Sequence, residues 1–215
     1  MVKKSLLQSI TDVRVRSRGY VPHWEQCGAT YSLTIRLHDS LPLAVIEQIR
    51  EQQRVLRRTI SGAPMLTAFE RAILRAEFEQ TVDRELHRGL GVAFMNDPSI
   101  AELIAQTIVH FDGERYRLDG WCVMPNHVHA IVTPFDGWPL AGIVRSWKGY
   151  SARMANRLLQ RDGAFWQREY FDRIIRDEKD LAGCIAYVVE NPVKAGLRDW
   201  KWTSAAGWKP AARPA

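Results

Sequence analysis

Apolar and polar residues alternate from Ala29 to Leu37, a pattern that predicts a β-strand with one buried face. Apolar runs predict three more strands: one after the turn-like stretch DGERYR, then Val128 to Thr133, and then Asp172 to Arg176. Asp119-Gly120 interrupts the first of these runs and indicates a β-bulge or an early turn. Pro125-Asn126 predicts a tight turn, so the strands on either side of it are expected to pair antiparallel.

Apolar residues spaced three and four apart predict helices in the rest of the chain. Asp97 is predicted to be an N-cap, with Pro98 at the first helical position. Pro192 is expected to end the last helix, because proline disfavours helical geometry in the residue before it. The predicted helices are Leu43 to Arg58, Leu66 to His87, the helix that follows Asp97, Leu140 to Gln160, and Asp180 to Glu190.

The predicted order is strand, helices, strand, strand, helix, strand, helix. It indicates an α+β fold, with helices lying on an antiparallel sheet in a ferredoxin-like arrangement. The helical block of residues 41–109 falls in the first crossover and is longer than such a crossover needs. We expect residues 1–200 to form a single domain and residues 201–215 to form a basic C-terminal tail.

The composition is that of a globular protein, since 46% of the 215 residues are hydrophobic. No apolar run reaches the roughly eighteen residues of a membrane span. The N-terminus MVKKSLLQSI has too short an apolar stretch for a signal peptide, so we expect a cytoplasmic protein. Cys27, Cys122 and Cys184 lack C-x-x-C spacing, which argues against a disulfide framework or a cysteine zinc site.

Positive charge is concentrated in two places, and the formal net charge is +6. The stretch from Arg145 to Arg161 contains five basic residues and no acidic one, and the first 19 residues contain five basic residues against Asp12 alone. Either cluster is a solvated face or a surface for a polyanion, and the sequence leaves both interpretations open. The basic residues are Arg145, Lys148, Arg153, Arg157 and Arg161 in the first cluster, and Lys3, Lys4, Arg14, Arg16 and Arg18 in the second.

The stretch MPNHVHAIV places two histidines, His127 and His129, inside an apolar strand. Because side chains alternate across a strand, both imidazoles point to one face, with backbones about 7 Å apart, and can turn toward one shared ion. Neutral imidazole suits Mn, Zn, Ni or Fe, whereas a pure magnesium site prefers oxygen ligands. Taken alone, H-x-H is more often a pair of surface or hydrogen-bonded residues.

Motifs around the two histidines are more specific than the pair itself. WCVMPNHVHAIV resembles the HUH motif (histidine, bulky hydrophobe, histidine) of REP-associated tyrosine transposases, a single-tyrosine family of single-strand DNA nucleases. RGYVPHWEQ running into YSLTIRLHDSLP resembles the N-terminal signature of this family. FWQREYFDRIIRDEKDL resembles its middle, and YVVENPVKAGL its last helix. The matches occur in the family's order and reach from about residue 18 to 200.

The resemblance implies a metal-dependent endonuclease and strand transferase that nicks single-stranded DNA at palindromic, REP-like hairpins. It assigns the nucleophile, which forms a covalent 5′-phosphotyrosine, to Tyr187, four residues before Asn191-Pro192. It assigns Mg²⁺ or Mn²⁺ to His127, His129 and Asn191. At about 100° per residue, helix geometry places Ile185 and Val189 toward the core and Tyr187 and Asn191 roughly on the opposite side. The alternative role for Asn191 is a helix C-cap.

Other tyrosines and other protein classes remain open at this stage. Tyr170 is the second candidate nucleophile, although its aromatic neighbours favour a packed or base-stacking role, and Tyr150 could equally pack beside Trp147. The alternative function is a non-catalytic hairpin-binding protein derived from such a transposase. A barrel hydrolase that uses H-x-H needs a longer chain with a strand-helix repeat. A replication initiator or relaxase shares the chemistry but has other surrounding motifs.

DNA contacts are predicted for the basic helix and the segment after it. Arg153, Arg157 and Arg161 recur every fourth residue and share one side, while Met154 and Leu158 are expected to face the core. Contacts to extruded bases are predicted for Trp166 and Arg168. In the family that the chain resembles, the hairpin substrate has a conserved tetranucleotide beside its foot. The resemblance implies that Arg14, Arg16, Arg18 and the C-terminal tail contact that element.

Overall fold

The computed structural model describes residues 14–17, 22–26, 28–62 and 81–204. The described strands are β1 (Arg14–Ser17), β2 (Pro22–Glu25), β3 (Tyr31–Arg36), β4 (Tyr116–Val123), β5 (His127–Pro134) and β6 (Phe171–Ile174). The helices with complete bounds are α1 (Leu43–Gly62), α2 (Pro98–Val109), α3 (Leu140–Leu158) and α4 (Glu178–Lys194), with a 3₁₀ turn at Phe94–Asn96. Residues 81–87 are also helical and are called the 81–87 segment below.

Four of these strands form one antiparallel sheet in the order β4-β5-β3-β6. If the four strands of this sheet are numbered 1 to 4 in chain order, their order across the sheet is 2-3-1-4. Helices connect β3 to β4 and β5 to β6. The arrangement confirms the predicted ferredoxin-like α+β fold. β1 and β2 pair with each other in a separate two-stranded sheet, which the apolar pattern did not predict.

The two faces of the sheet are covered by different helices. Val128, Ala130 and Val132 belong to the main core, which includes buried residues of α2 and α3 such as Trp147. Ile131, on the other face of β5, packs with buried residues of α4 in a second cluster. Because side chains alternate along a strand, His127 and His129 share the face of Ile131 and lie beneath α4. The sheet therefore separates α3 from the two histidines.

The hairpin between β4 and β5 follows the sequence expectations. The register shifts between Leu118 and Gly120, which confirms the bulge at Asp119-Gly120. The backbone N–H of Met124 donates to the carbonyl of His127 at 2.8 Å and closes the turn at Pro125-Asn126. The turn fixes where β5 begins, and so places His127 at its first residue.

Helix ends agree with the prediction at α2 and differ at α4. Asp97 caps α2 by accepting from the backbone N–H of Ser99 at 2.8 Å, as predicted. The prediction that α4 runs from Asp180 to Glu190 and stops before Pro192 is wrong, since it spans Glu178–Lys194 with Pro192 inside. Gly196, with φ of +74°, provides the left-handed residue that ends the helix. The N–H of Leu197 then donates to the carbonyl of Pro192 at 2.9 Å, as in a Schellman motif.

The 81–87 segment packs against α1 and the chain entering it. Val82 and Leu86, one helical turn apart, are buried in a small cluster with Leu41 and Ile49. The rest of the predicted helix Leu66 to His87, up to residue 80, lies outside the described residues. Fixing Val82 and Leu86 also fixes the direction of the neighbouring face of this helix, which carries Asp83 and His87.

Packing against the sheet continues past the predicted domain boundary at residue 200. Trp202 is buried, and its carbonyl accepts from the N–H of Val123 at the end of β4. Thr203 pairs with Cys122 through an isolated antiparallel β-bridge of the backbone. Residues 205–215, the remainder of the predicted tail, lie outside the described residues. Among the described helices, none is long and apolar enough to cross a membrane.

Candidate active site

Two imidazoles lie side by side under α4. His127 and His129 are 0% and 2% exposed, and their ring centroids are 4.7 Å apart. Their strand partners on β3 are Arg36 and Thr34, so the side chains of these residues share the same face. The predicted convergence of the two histidines is therefore present in the structure.

A third histidine completes the cluster. His87, the last residue of the 81–87 segment, has its ring centroid 5.6 Å from that of His127. One ligand atom from each of His87, His127 and His129 lies within 4.8 Å of the others, a group that could bind a metal ion. The sequence interpretation missed His87, because ELHRGL contains no second ligand at a metal-binding spacing.

Hydrogen bonds at Nδ1 orient the two strand histidines. The amide nitrogen of Asn126 donates to the carbonyl of Leu86 at 2.8 Å, which leaves its Oδ1 facing Nδ1 of His127 at 2.6 Å. Because Oδ1 is only an acceptor, Nδ1 of His127 must carry the proton and Nε2 keeps its lone pair. Nδ1 of His129 likewise lies 3.0 Å from Oγ1 of Thr34. Such outer contacts commonly fix the tautomer of metal-binding histidines.

The Nε2 atoms are buried and face one another without a partner. Nε2 of His87, His127 and His129 makes no hydrogen bond to any described residue. Burial, followed by the charges of His129 and His87, holds the pKa of His127 well below its ordinary value. Burial also lowers the pKa of His129, although Asp83 partly opposes this effect. The imidazoles of His127 and His129 are therefore neutral near pH 7, the form that binds metal ions.

Tyr187 and Asn191 on α4 reach the same site. The ring of Tyr187 lies 5.9 Å from that of His129. Asn191 is 0% exposed, and its amide makes no hydrogen bond of ordinary geometry within the described part of the chain. The amide is close enough to lower the pKa of Tyr187 slightly, but burial and the charge of Asp83 raise that pKa above its ordinary value. Asn191 is inside the helix, so it is not the C-cap considered above.

The predicted orientation of α4 is only partly correct, since Ile185 packs on the second cluster as expected but Asn191 is not turned away from the core. Asn191 and Val188 lie together on the buried side of the helix, and Tyr187 packs at its margin, whereas Val189 is only partly buried. The prediction treated the core and the site as opposite sides of the helix. Because α4 crosses the face of the sheet that carries the histidines, the same side of the helix serves both.

Asp83 is the second residue of the site that the sequence interpretation missed. Its Oδ2 accepts a hydrogen bond from the Tyr187 hydroxyl at 2.8 Å. Its Oδ1 lies 3.9 Å from Nε2 of His129. The i, i+4 spacing of Asp83 and His87 was the available signal, but it acquires meaning only once the 81–87 segment is known to lie beside the strand histidines.

Comparisons with known proteins show which proteins the chain is similar to. Residues 96–191, which contain both strand histidines, Tyr187 and Asn191, match the family described as Transposase IS200 like. Over part of its length, the chain is similar to REP-associated tyrosine transposases. The resemblance inferred from its motifs is thereby confirmed.

Two relatives carry that family name. A Haemophilus influenzae protein named as a REP-associated tyrosine transposase is 30% identical over 46% of this chain. The REP-associated tyrosine transposase of Escherichia coli K12 is 23% identical over 48% of it. The matches span 62% and 63% of the lengths of these relatives. A solved REP-associated tyrosine transposase bound to a REP hairpin aligns with a TM-score of 0.47 and 17% identity, over 91% of this chain and 87% of that chain.

The other candidate tyrosines lie elsewhere in the structure. Tyr170 is buried in the main core with Phe165 and Trp166, and Tyr150 is exposed on α3. Neither has a described contact to the histidine cluster. The structure thus brings only Tyr187, among the three candidates, to the site.

The predicted DNA-contacting residues are divided between exposed and internal positions. Lys148 donates to the carbonyls of Gln167 and Arg168, both at 2.7 Å, and burial lowers the pKa of Lys148 to about 8. Trp166 is 8% exposed and donates to Oγ of Ser151, so the structure does not support its predicted stacking on bases. The predicted DNA contacts that are exposed on or near α3 are Arg145, Arg153, Arg157 and Arg168.

The remaining predicted contacts are less exposed or less fully described. Arg161 is partly buried and lies over the ring of Phe94. Leu158, predicted to face the core, is the last residue of α3 and is 55% exposed. Arg14 and Arg16 lie in β1, and Arg18 is outside the described residues.

Proposed function

We propose that the protein is a metal-dependent endonuclease and strand transferase that acts on single-stranded DNA at REP-like hairpins through a 5′-phosphotyrosine on Tyr187. The observation that carries this proposal is the proximity of the Tyr187 ring to a cluster of three histidines, two of them buried. The relatives' names support an association with REP elements. The roles of His127, His129, Asn191 and Tyr187 remain those that the motifs predicted.

The buried donor atoms fit a divalent ion. His127, His129 and His87 would hold it through imidazole nitrogens, and Asn191 through its amide oxygen. When bound, the ion would polarise the scissile phosphate as a Lewis acid. Of the predicted ions, Mn²⁺ suits a nitrogen-rich site better than Mg²⁺, which prefers oxygen ligands.

The reaction proposed for Tyr187 is a displacement at phosphorus. Its phenol oxygen forms a bond to the phosphate, the bond from phosphorus to the 3′-oxygen breaks, and the phenol proton passes to that oxygen. Because burial and Asp83 raise the pKa of Tyr187, the phenol keeps its proton at neutral pH before substrate binds. The step therefore depends on positive charge at the site.

Basic side chains on the histidine face support such a role. Arg36, opposite His127 on β3, is only 8% exposed. The ammonium of Lys194 lies 5.2 Å from the ring centroid of Tyr187. Both are closer to the proposed chemistry than the exposed arginines of α3, which lie across the sheet. We assign those arginines to the more distant DNA backbone.

A denaturing gel tests the proposal directly. The protein is mixed with Mn²⁺ and a hairpin oligonucleotide labelled on the 3′ side of the cleavage site, since the 5′-phosphate of that fragment joins the tyrosine. We expect the label to migrate with the polypeptide, and to be released by protease digestion. If the protein binds the hairpin but no label becomes covalently attached to it, the alternative function, a non-catalytic hairpin-binding protein, is favoured instead.

Lys148 and Arg153, both on α3, should respond differently to substitution. Lys148→Met removes two hydrogen bonds to backbone carbonyls, so we expect the free energy of unfolding to fall by about 1–3 kcal/mol. Arg153→Gln is exposed and should change stability by less than about 0.5 kcal/mol. If the side chain of Arg153 contacts a phosphate, the substitution should reduce the slope of log affinity against log salt concentration for hairpin binding by about one. Urea unfolding and salt-dependent gel shifts measure both effects.

A further inference from the structure

The carboxylate of Asp83 lies between the proposed nucleophile and the histidine cluster. One oxygen accepts from the Tyr187 hydroxyl at 2.8 Å, and the other lies 3.9 Å from Nε2 of His129. Asp83 itself is only 7% exposed. A single side chain therefore connects the residue proposed to attack the phosphate with a residue proposed to hold the ion.

The burial of this carboxylate needs an explanation. Burying a charge is strongly unfavourable unless a partner of opposite charge lies close to it. Within the described part of the chain, His129 is the basic side chain at ion-pair distance from Asp83, and an imidazole carries a positive charge only when it is protonated. A cation held by the histidines would provide the missing positive charge. The position of Asp83 thus suits a site that works with a metal ion.

The backbone around Asp83 is held in place from two sides. Val82 and Leu86 are buried against Leu41 and Ile49, and the carbonyl of Leu86 accepts from the amide of Asn126. The same Asn126 orients His127. The 81–87 segment is therefore fixed relative to the histidine strand, and Asp83 can define where the hydroxyl of Tyr187 lies.

We propose that Asp83 is a positioning residue, which holds the hydroxyl of Tyr187 beside the ion site before DNA binds. This inference rests on the proposed function of Tyr187. A tyrosine side chain at a helix margin has more than one staggered rotamer, and a hydrogen bond to a buried acceptor selects one of them. Because the second oxygen of Asp83 faces His129, the selected rotamer keeps the hydroxyl close to the histidines. Displacement of a reacting group by about 1 Å can slow a reaction about a hundredfold.

Two variants and a matched control test the rate of adduct formation. Asp83→Ala removes the acceptor, and at saturating hairpin and Mn²⁺ it should slow adduct formation about ten- to a hundredfold. Asp83→Asn retains an acceptor oxygen and should recover most of that loss. For both variants, the hairpin concentration that gives half-saturation should stay within about twofold of that of the unmodified protein, since Asp83 is buried. Glu85→Gln, a carboxylate of the same segment that pairs with Arg88, should behave as the unmodified protein.

A second measurement does not depend on cleavage. Urea midpoints are compared for Asp83→Ala, Tyr187→Phe and the double variant, each in the presence of EDTA. If the hydrogen bond exists in solution, the double variant should be shifted by clearly less than the sum of the two single shifts. Additive shifts would overturn the proposal. An unchanged rate of adduct formation in Asp83→Ala would also overturn it. So would a faster rate, because it would mean that Asp83 restrains the tyrosine. An adduct that survives Tyr187→Phe would instead refute the function proposed for Tyr187, and the midpoint comparison would still decide the hydrogen bond.

Discussion

Tyr187→Phe is expected to abolish the covalent adduct with hairpin DNA, lowering its rate of formation by at least about a thousandfold. The substitution removes one oxygen atom, which is the atom proposed to form the bond to phosphorus. It leaves an aromatic ring of the same size beside His129, so packing should be retained. Hairpin affinity should stay within about twofold, because the hydroxyl contacts Asp83 rather than the protein surface. Adduct gels and gel shifts on the same preparation measure the two effects.

Matched phenylalanine variants at the other candidate tyrosines provide the controls. Tyr170→Phe and Tyr150→Phe remove the same atom from a buried core position and from an exposed position on α3. Both should form the adduct at a rate close to that of the unmodified protein. Loss of the adduct in Tyr170→Phe, with the adduct retained in Tyr187→Phe, would show that the nucleophile has been assigned to the wrong residue.

Local patterns in the sequence were sufficient for much of the fold. Alternation placed β3 and β5, and the break at Asp119-Gly120 marked the bulge, because both depend on neighbouring residues alone. The convergence of His127 and His129 follows from the same period of two. The motifs added Tyr187 and Asn191, which lie far along the chain from the histidines and which no local pattern connects to them.

The residues that the sequence did not identify are those placed by packing between distant segments. Asp83 and His87 come from the crossover between β3 and β4, and about forty residues separate His87 from His127 along the chain. What brings them to the site is the burial of Val82 and Leu86 against the chain around Leu41, together with the bond from Asn126 to Leu86. None of these contacts has a signature in local spacing.

The errors at α4 have a similar cause. Pro192 was expected to end the helix, but the helix accommodates it in the last turn and ends at Lys194, just before the left-handed position at Gly196. The orientation of Tyr187 was inferred by treating apolar residues as the sole indicator of the buried side. In an active site that lies under a helix, polar residues such as Asn191 occupy that side as well.

His127→Ala is expected to have the second largest effect, on the ion rather than on the nucleophile. Removing one of three clustered imidazoles should weaken Mn²⁺ binding at least about a hundredfold, and adduct formation should fall with it. Asn126→Ala should give a smaller loss, about ten- to a hundredfold, because Asn126 orients His127 and holds the 81–87 segment but is not itself a proposed ligand. Calorimetric titration of Mn²⁺ into the DNA-free protein measures the affinity independently of cleavage.

The same titration decides whether His87 is a ligand. If it is, His87→Ala should weaken Mn²⁺ binding about as much as His127→Ala does, whereas His110→Ala, an exposed histidine at the end of α2, should leave the affinity unchanged. Replacing a nitrogen ligand should also reduce the preference for Mn²⁺ over Mg²⁺, since the remaining donors include a larger share of oxygen. Unaltered Mn²⁺ affinity in His87→Ala would restrict the ion to His127, His129 and Asn191. His87 would then be a buried neighbour of the site, positioned by the same helix as Asp83 but outside the coordination of the ion.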